Sequence, residues 1–260
     1  MNSSKVVCIT GASSGIGAAT AETFARQGWS VAIGARRVDA LKDLSANLLK
    51  LGADKVVHCE LDVTSRKSVL EFAAKVKSGF PEGLDVLVNN AGLALGTSRM
   101  PQVTDDEVDA MIDTNVKGAI SVLRAFLPWM LEQNRGHIFN MGSVAGFWVY
   151  EGGSIYTASK HALNAITKTL RLELNGTPIR ITSIDPGMVE TGFSEVRYRG
   201  DTDKAASVYK GMTPLTAADI AECIWFAASR PAHVNIDQMV LMPVDQASVY
   251  KVHRRLNCST

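Results

Sequence analysis

KVVCITGASSGIG, residues 5–17, is the stretch that decides the fold of this chain. An apolar run of strand length leads directly into a turn with three glycines, and a helical pattern follows the turn. A glycine turn between a strand and a helix lets the backbone approach a pyrophosphate, whose charge then lies at the helix N-terminus. The spacing G-x-x-x-G-x-G differs from the common G-x-G-x-x-G fingerprint, so a tight turn without a ligand remains the alternative.

Apolar runs of strand length then alternate with helical segments almost to the end of the chain. They are SVAIGA (30–35), VVHCELDV (56–63), LDVLVNN (84–90), HIFNMGS (137–143), IRITSID (179–185) and QMVLMP (238–243). Several are nearly continuous in apolar character, which is typical of parallel strands covered on both faces. The alternation predicts a doubly wound α/β fold, with a parallel sheet of about seven strands and helices on both faces.

The helix ends are also readable. Gly28 and Gly52 are placed to end two helices. Thr104 with Glu107, and Thr216 with Asp219, have the spacing of capping boxes that begin two others.

One segment, residues 188–215, interrupts the alternation and is called the lid segment below. It is polar and rich in charge and glycine, and it follows the carboxyl end of a predicted strand, where such sheets place a substrate lid. An ordinary surface helix and loop explains the composition equally well. With no linker or repeat in the sequence, we expect one domain over residues 1–260 that includes this lid.

Composition excludes several classes of function. A net charge of +1 argues against a general nucleic-acid binder, and no apolar run approaches the roughly 18 residues that span a bilayer. MNSSKVVCIT lacks the apolar region of a signal peptide. Cys8, Cys59, Cys223 and Cys258 show no metal-ligand spacing, and we interpret them as three buried residues and one tail thiol. These features predict a cytoplasmic protein without a metal site or membrane partner.

The second strand ends in GARR, residues 34–37. Enzymes that hold the adenosine ribose of NAD usually place an acidic residue here, whereas this chain has Ala35 followed by Arg36 and Arg37. Two cations just before a helix N-terminus oppose the helix dipole, and a 2′-phosphate would supply the missing anion. A pair of solvated loop arginines is the alternative. We therefore predict NADP(H) rather than NAD(H) as cofactor.

Seven motifs in a fixed order carry a family resemblance. They are TGASSGIG (10–17), LDV (61–63), NNAG (89–92), Asn115 in DTNVKGA, Ser143 in NMGSVAG, YTASK (156–160) and DPGMVET (185–191). In this order the chain resembles the short-chain dehydrogenase/reductase family over nearly its whole length. The resemblance implies a single Rossmann domain and an NADP-dependent oxidoreductase.

The resemblance also implies a reacting centre of four residues. Tyr156 would act as acid and base, and Lys160, four residues on along a helix face, would lower its pKa and hold the nicotinamide ribose. Ser143 would donate a hydrogen bond to the substrate carbonyl oxygen. Asn115 would fix a water molecule that relays protons from Lys160.

Further positions are implied as cofactor contacts: Gly11, Ser13, Ser14, Gly15, Ile16 and Gly17 in the glycine turn; Arg36 and Arg37; Asp62 and Val63 at the adenine; Asn89, Ala91 and Gly92 behind the ribose; Tyr156 and Lys160; and Pro186, Gly187, Val189 and Thr191 over the carboxamide.

Three stretches of the second half of the chain carry a closer resemblance, to the NADP-dependent 3-hydroxy acid dehydrogenases, the subgroup with serine and L-allo-threonine dehydrogenases. They are DPGMVETGFSEVRYRGD, VYKGMTPLTAADIAE and MVLMPVDQAS. This implies hydride transfer at the β-carbon of small 3-hydroxy acids, such as L-serine, L-allo-threonine and 3-hydroxypropionate (the reduced form of malonic semialdehyde).

Arg197 and Arg199 are candidates to bind the substrate carboxylate together with Ser143, or else to anchor the lid or a subunit contact. A reductase of a bulkier ketone, sugar or secondary alcohol, and a non-catalytic NADP-binding sensor, are the alternatives. The resemblance implies a homotetramer.

Overall fold

A parallel sheet of seven strands forms the centre of the computed structural model, which describes residues 4–255. Its strands are β1 (Val6–Thr10), β2 (Ser30–Ala35), β3 (Val56–Glu60), β4 (Val86–Asn89), β5 (Gly136–Met141), β6 (Ile179–Pro186) and β9 (Gln238–Leu241), and a separate two-stranded pair consists of β7 (Val189–Glu190) and β8 (Leu215–Thr216). The strand order is β3-β2-β1-β4-β5-β6-β9 and every pairing is parallel. The doubly wound parallel sheet predicted from the alternation is confirmed.

Helices cover both faces of this sheet. They are α1 (Gly15–Arg26), α2 (Val38–Lys50), α3 (Arg66–Gly79), α4 (Asp105–Ile112), α5 (Ala119–Glu132), α6 (Ser154–Glu173), α7 (Phe193–Arg197), α8 (Thr202–Ser207) and α9 (Ala217–Ala228). A π-helical turn, Asp113–Gly118, joins α4 to α5. Between residues 4 and 255, no helix combines the length and the apolar character needed to cross a membrane.

Two hydrophobic clusters, one on each face, hold the helices to the sheet. Phe24 of α1 and Ile224 of α9 are fully buried in one cluster, where Trp29 and Trp225 contact Phe24 edge to face. Phe126 of α5 lies in the other. Each side chain of this size contributes about 1.5–3 kcal/mol when it is fully buried.

The cysteines correct one expectation. Cys8 of β1 is fully buried, as predicted, but Cys59 and Cys223 are only partly buried, because β3 lies at the sheet edge and Cys223 lies on the outer part of α9. Cys258, predicted as a tail thiol, lies outside the described residues.

The helix ends follow the sequence signals. Gly28 and Gly52 have φ angles of 74° and 112°, a region that glycine adopts readily, and each lies just after a helix end. Thr104 and Thr216 both form complete capping boxes with the acidic residue three positions later. These local predictions are confirmed.

The sheet order fixes where a ligand can bind. The chain leaves β1 toward β2 on one side of the sheet, whereas β4 lies on its other side. A crevice therefore opens at the carboxyl ends of β1 and β4, where the connections diverge. The lid segment follows β6 and contains α7 and α8, so it rises from the same edge of the sheet.

His137 of β5 is a buried imidazole in this core. The Thr182 hydroxyl donates to Ile236 O, so it accepts the hydrogen bond from Nε2 of His137 at 2.7 Å, and Nδ1 has no partner among the described residues. Burial, with a smaller contribution from the nearby Arg180, lowers the pKa of His137 to about 2. The folded protein therefore keeps this side chain neutral.

We predict that this histidine destabilises the fold in acid. The unfolded chain takes up a proton below a pKa of about 6.5 and the folded chain resists protonation down to about pH 2, so stability is lost as pH falls through that window. The loss attributable to His137 is about 1.4 kcal/mol per pH unit. Chemical denaturation of His137→Phe between pH 7 and 4.5 should show a flatter decline than wild type. The exposed His233→Gln is the control, and an unchanged slope in His137→Phe would contradict the prediction.

Candidate active site

The glycine turn after β1 is locked against the end of β4. The Asn90 side-chain amide donates to Thr10 O at 2.9 Å and to Gly11 O at 3.3 Å, and the Thr10 hydroxyl accepts from the backbone N–H groups of Asn90 and Ala91 at 3.0 Å each. A Cβ at Gly17 would lie 2.6 Å from Gly11 O, so the start of α1 can pack here only without a side chain. The turn therefore presents bare backbone at a helix N-terminus, as anion binding requires.

Arg37 lies across this turn. Its guanidinium donates from Nη2 to Ser14 Oγ at 2.7 Å and from Nε to Ser13 Oγ at 3.3 Å. Arg36 and Arg37 are both exposed, and within residues 4–255 neither forms an ion pair with a carboxylate. One of the two arginines is thus held beside the glycine turn with its charge unneutralised, rather than projecting freely into solvent.

A cavity of about 400 Å³ opens from the glycine turn along the carboxyl edge of the sheet. Many of the residues predicted from the motifs line it: Gly11, Ser14, Gly15, Ile16, Ala91, Gly92, Ser143, Tyr156, Lys160, Pro186, Gly187, Val189, Thr191 and Arg197. The segments at the ends of β1, β4, β5 and β6, together with helix α6, supply them. The fold thus brings together motifs that are spread over nearly 190 residues of sequence.

The first turns of α6 place Tyr156 and Lys160 in this cavity. Lys160 Nζ lies 5.8 Å from the centre of the Tyr156 ring and donates to Met141 O at 2.8 Å. Ser143 follows β5, and its position is fixed by its backbone N–H, which donates to Asp185 Oδ1 at 3.0 Å. The arrangement puts a phenol, an ammonium and a hydroxyl at one end of the cavity.

Burial has the largest effect on the pKa values of Tyr156 and Lys160. It raises the pKa of Tyr156 to about 12, with Tyr150 adding to the rise and the Ser143 hydroxyl and Arg197 opposing it. Burial also lowers the pKa of Lys160 to about 8, against the opposing effect of Asp185. The Tyr156 pKa set by the protein groups alone thus lies above its ordinary value, because desolvation of the phenolate outweighs the lowering by Ser143 and Arg197. That Lys160 lowers this pKa stays a prediction.

Asn115 lies in the π-helical turn and does not line the cavity. Its amide donates to Leu93 O at 2.8 Å and to Ser159 Oγ at 3.0 Å, and its carbonyl accepts from Leu93 N at 2.9 Å. A Cβ on Gly92 would lie 3.2 Å from Asn115 Oδ1 and 3.6 Å from Lys160 Nζ, so both side chains approach the same face of Gly92. The predicted neighbourhood of Asn115 and Lys160 is present.

Some predicted cofactor contacts lie elsewhere. The Asn89 side chain is buried under the sheet, where it donates to Ala119 O and Asn140 Oδ1 at 3.1 Å, so the expectation that it lines the crevice is wrong. The next residue, Asn90, lines it instead. Asp62 and Val63 follow the end of β3 outside the cavity, with the Asp62 carboxylate accepting from Thr64.

The two arginines of the lid segment have different positions. Arg197 lines the cavity, whereas Arg199 donates to Glu107 Oε1 at 3.0 Å outside it, so of the two alternatives for Arg199 the contact favours the anchoring one. The Glu107 side chain is 9% exposed. Arg199 therefore anchors the lid segment to α4.

Several lining residues lie outside the seven family motifs and received no role from the sequence. They include Tyr150, Phe193, Ser194, Tyr209, Gln246 and Val249. Asn90 could have been found, because it stands inside NNAG. Phe193 and Ser194 lie in the short helix α7, and the others lie in irregular segments whose path no periodicity reveals.

The comparisons with known proteins agree with this geometry. The family model for short chain dehydrogenase matches residues 5–201. The NADP-dependent 3-hydroxy acid dehydrogenase YdfG of Salmonella typhi is 43% identical over 96% of this chain and 99% of its own length, and the serine 3-dehydrogenase of Rhizobium radiobacter is 41% identical over 96% and 99%. A closed form of serine dehydrogenase complexed with NADP+ superposes with a TM-score of 0.89 at 40% identity, over 96% of this chain and 100% of that one.

We predict that Arg199→Met lowers the free energy of unfolding by about 1–2 kcal/mol, because it leaves the buried Glu107 carboxylate without its cation. Arg26→Met, which breaks the exposed Arg26–Glu22 pair, is the matched control and should change stability little. Denaturant titration of both variants measures the difference. Equal stability losses would contradict the anchoring role.

Proposed function

This chain belongs to the short-chain dehydrogenase family, and from that premise we propose that it is an NADP(H)-dependent oxidoreductase acting on small 3-hydroxy acids. The reaction is hydride transfer between the nicotinamide and the β-carbon of substrates such as L-serine, L-allo-threonine and 3-hydroxypropionate. The observation that carries the proposal is the arrangement of one cavity, with the glycine turn at one end and Tyr156, Ser143 and the Arg197 cation at the other.

The residues present fit NADP(H). The glycine turn, whose Gly11 and Gly15 line the cavity, offers backbone at a helix N-terminus to the pyrophosphate. The Arg37 guanidinium beside Ser13 and Ser14 provides a cation for the 2′-phosphate. When bound, the cofactor supplies or accepts the hydride. Relatives named as NADP-dependent, and the structure with NADP+, support this choice. Asp62 and Val63 would contact the adenine, and Pro186, Gly187, Val189 and Thr191 the nicotinamide end.

Tyr156 carries out the proton transfer. In reduction its phenol donates to the oxygen of the former carbonyl, and in oxidation its oxygen takes the hydroxyl proton. Ser143 holds that oxygen with a second hydrogen bond. Lys160 keeps a cation 5.8 Å from the Tyr156 ring and holds the ribose, and Asn115, which approaches the same face of Gly92 as Lys160, supports proton exchange with solvent through a water molecule.

Arg197 gives the site its preference for acids. Its guanidinium lies 5.8 Å from the centre of the Tyr156 ring, so a carboxylate bound to it would lie one or two carbons from an oxygen that reaches Tyr156. That span suits a 3-hydroxy acid. A bulkier ketone, sugar or secondary alcohol is the second candidate, because the cavity also has an apolar wall that includes Phe193, Val196 and Val249.

We further propose a cytoplasmic homotetramer. Leu172 of α6 is 77% exposed and Leu131 of α5 is 41% exposed, and both lie on helices that cover the same face of the sheet. Large apolar side chains that remain exposed on neighbouring helices favour a contact with another subunit.

Tyr156→Phe should lower kcat by about 10²–10⁴-fold, because it removes the proton donor and leaves the ring in place. NADPH affinity, followed by quenching of intrinsic fluorescence, should stay close to wild type. A kcat near that of wild type would end the acid/base assignment.

Arg197→Met should lower kcat/KM for 3-hydroxypropionate by about 10–100-fold and leave kcat/KM for neutral propane-1,3-diol nearly unchanged. Steady-state NADP+ reduction near pH 8–9 measures both, together with L-serine, L-allo-threonine and 3-hydroxyisobutyrate. Arg199→Met is the matched control from the same segment and should affect acid and diol alike.

Each alternative gives a different result in this screen. Wild-type turnover of neutral alcohols alone would support the second candidate. NADPH binding without turnover of any substrate would indicate a cofactor-binding sensor.

A further inference from the structure

We propose that Tyr150 is a positioning residue that sets the substrate preference of this site: its hydroxyl holds the Arg197 guanidinium in the orientation that binds the carboxylate of a 3-hydroxy acid. The proposal rests on the function proposed above and assigns a task to a residue that lies outside every motif.

The guanidinium of Arg197 is held along one edge. Its Nη2 donates to the Tyr150 hydroxyl at 2.7 Å, and its Nε donates to Gly96 O at 3.2 Å. Nε and Nη2 lie on the same edge of the guanidinium plane. The Gly96 N–H donates in turn to Arg197 O at 2.9 Å, which fixes the backbone of the same residue.

The adjacent edge of the guanidinium, between Nη1 and Nη2, is left free for a ligand. A guanidinium has five N–H donors, and only two of the five from Arg197 are used by the partners above. Nη1 donates to no protein atom among residues 4–255. The outer fork of Nη1 and Nη2 therefore remains available to bind a carboxylate with two parallel hydrogen bonds. Tyr150 and Gly96 therefore direct this fork, and both Tyr150 and Arg197 line the cavity.

The Tyr150 ring is itself fixed against the start of α6. A Cβ at Gly153 would overlap the Tyr150 ring, so the ring lies directly on the glycine backbone. Gly153 precedes Ser154, the first residue of the helix that carries Tyr156. The Arg197 carbon Cζ lies 5.4 Å from the centre of the Tyr150 ring and 5.8 Å from that of Tyr156. Tyr150 thus links the position of the anion-binding group to the position of the proton donor.

This linkage predicts a selectivity that a general structural role would not give. Without the Tyr150 hydroxyl, the guanidinium keeps its charge and its place in the cavity but loses one of the two contacts that orient it. Acid substrates should therefore bind more weakly, while the proton step on a bound substrate continues. A neutral diol of the same length does not use the fork and should be nearly insensitive.

The experiment compares wild type with Tyr150→Phe on 3-hydroxypropionate and propane-1,3-diol, with NADP+ saturating. We expect KM for 3-hydroxypropionate to rise about tenfold, the loss of one hydrogen bond to a charged group, with kcat and the diol kcat/KM changed less than about twofold. In an Arg197→Met background, Tyr150→Phe should add less than about a twofold loss, because the two residues act through one contact.

Two further variants guard against a folding artefact. Gly153→Ala, whose Cβ displaces the Tyr150 ring, should reproduce the loss on the acid if Tyr150→Phe proves unstable. Tyr209→Phe removes another hydroxyl of the same cavity, one that contacts Ser194 and Val189 O rather than Arg197, and should change acid and diol in equal proportion.

Equal losses on acid and diol in Tyr150→Phe, an unchanged KM for the acid, or a full additional loss in the Arg197→Met background would each overturn the proposal. Wild-type enzyme that oxidises the diol but not 3-hydroxypropionate would instead overturn the proposed function and this inference with it. The wild-type measurement alone therefore separates the two failures.

Discussion

One side chain fastens the two central strands at the point where the site opens, and the geometry of the crevice depends on it. The Asn90 amide bonds the carbonyls of Thr10 and Gly11, while the Thr10 hydroxyl accepts from the backbone after β4. The contact is possible because Gly11 and Gly17 have no side chain, since a Cβ at either would meet Asn90 within 3.0 Å. The glycines thus serve two needs at once: they let a strand end pack against its neighbour, and they expose backbone to an anion.

Burial shifts the pKa values of the two titratable groups at the reacting end of the site. It disfavours the charged form of both Tyr156 and Lys160, raising one pKa to about 12 and lowering the other to about 8. The phenol is therefore a proton donor in the protein alone, and further positive charge is needed before it can act as a base. Within the chain, the Arg197 guanidinium, 5.8 Å from the centre of the Tyr156 ring, lowers the Tyr156 pKa too little to offset burial.

The sequence predicted the sheet, the capped helix ends and the cluster of motifs at one edge, because these depend on local patterns and on the rules of parallel topology. The predictions from the sequence failed where the direction of a side chain decides what it contacts. Asn89 and Asn90 are adjacent in NNAG, yet one lies under the sheet and the other faces the crevice, since successive side chains of a strand point to opposite faces. Arg197 and Arg199 separate for a different reason: Arg197 ends helix α7, whereas Arg199 follows it with a left-handed backbone, φ 53°, and its side chain contacts Glu107. Tyr150 had no signal in the sequence, because its role comes from a contact with a residue 47 positions away.

The central claim is that one cavity delivers a hydride to the β-carbon of a 3-oxo acid and a proton to the oxygen on that carbon. Its most direct test is a single turnover with malonic semialdehyde and NADPH carrying deuterium at the transferable C4 position, with the product examined by NMR. The account predicts 3-hydroxypropionate with one deuterium on C3 and none on C2. Unlabelled product, or no product while a neutral ketone is reduced with deuterium transfer under the same conditions, would contradict it.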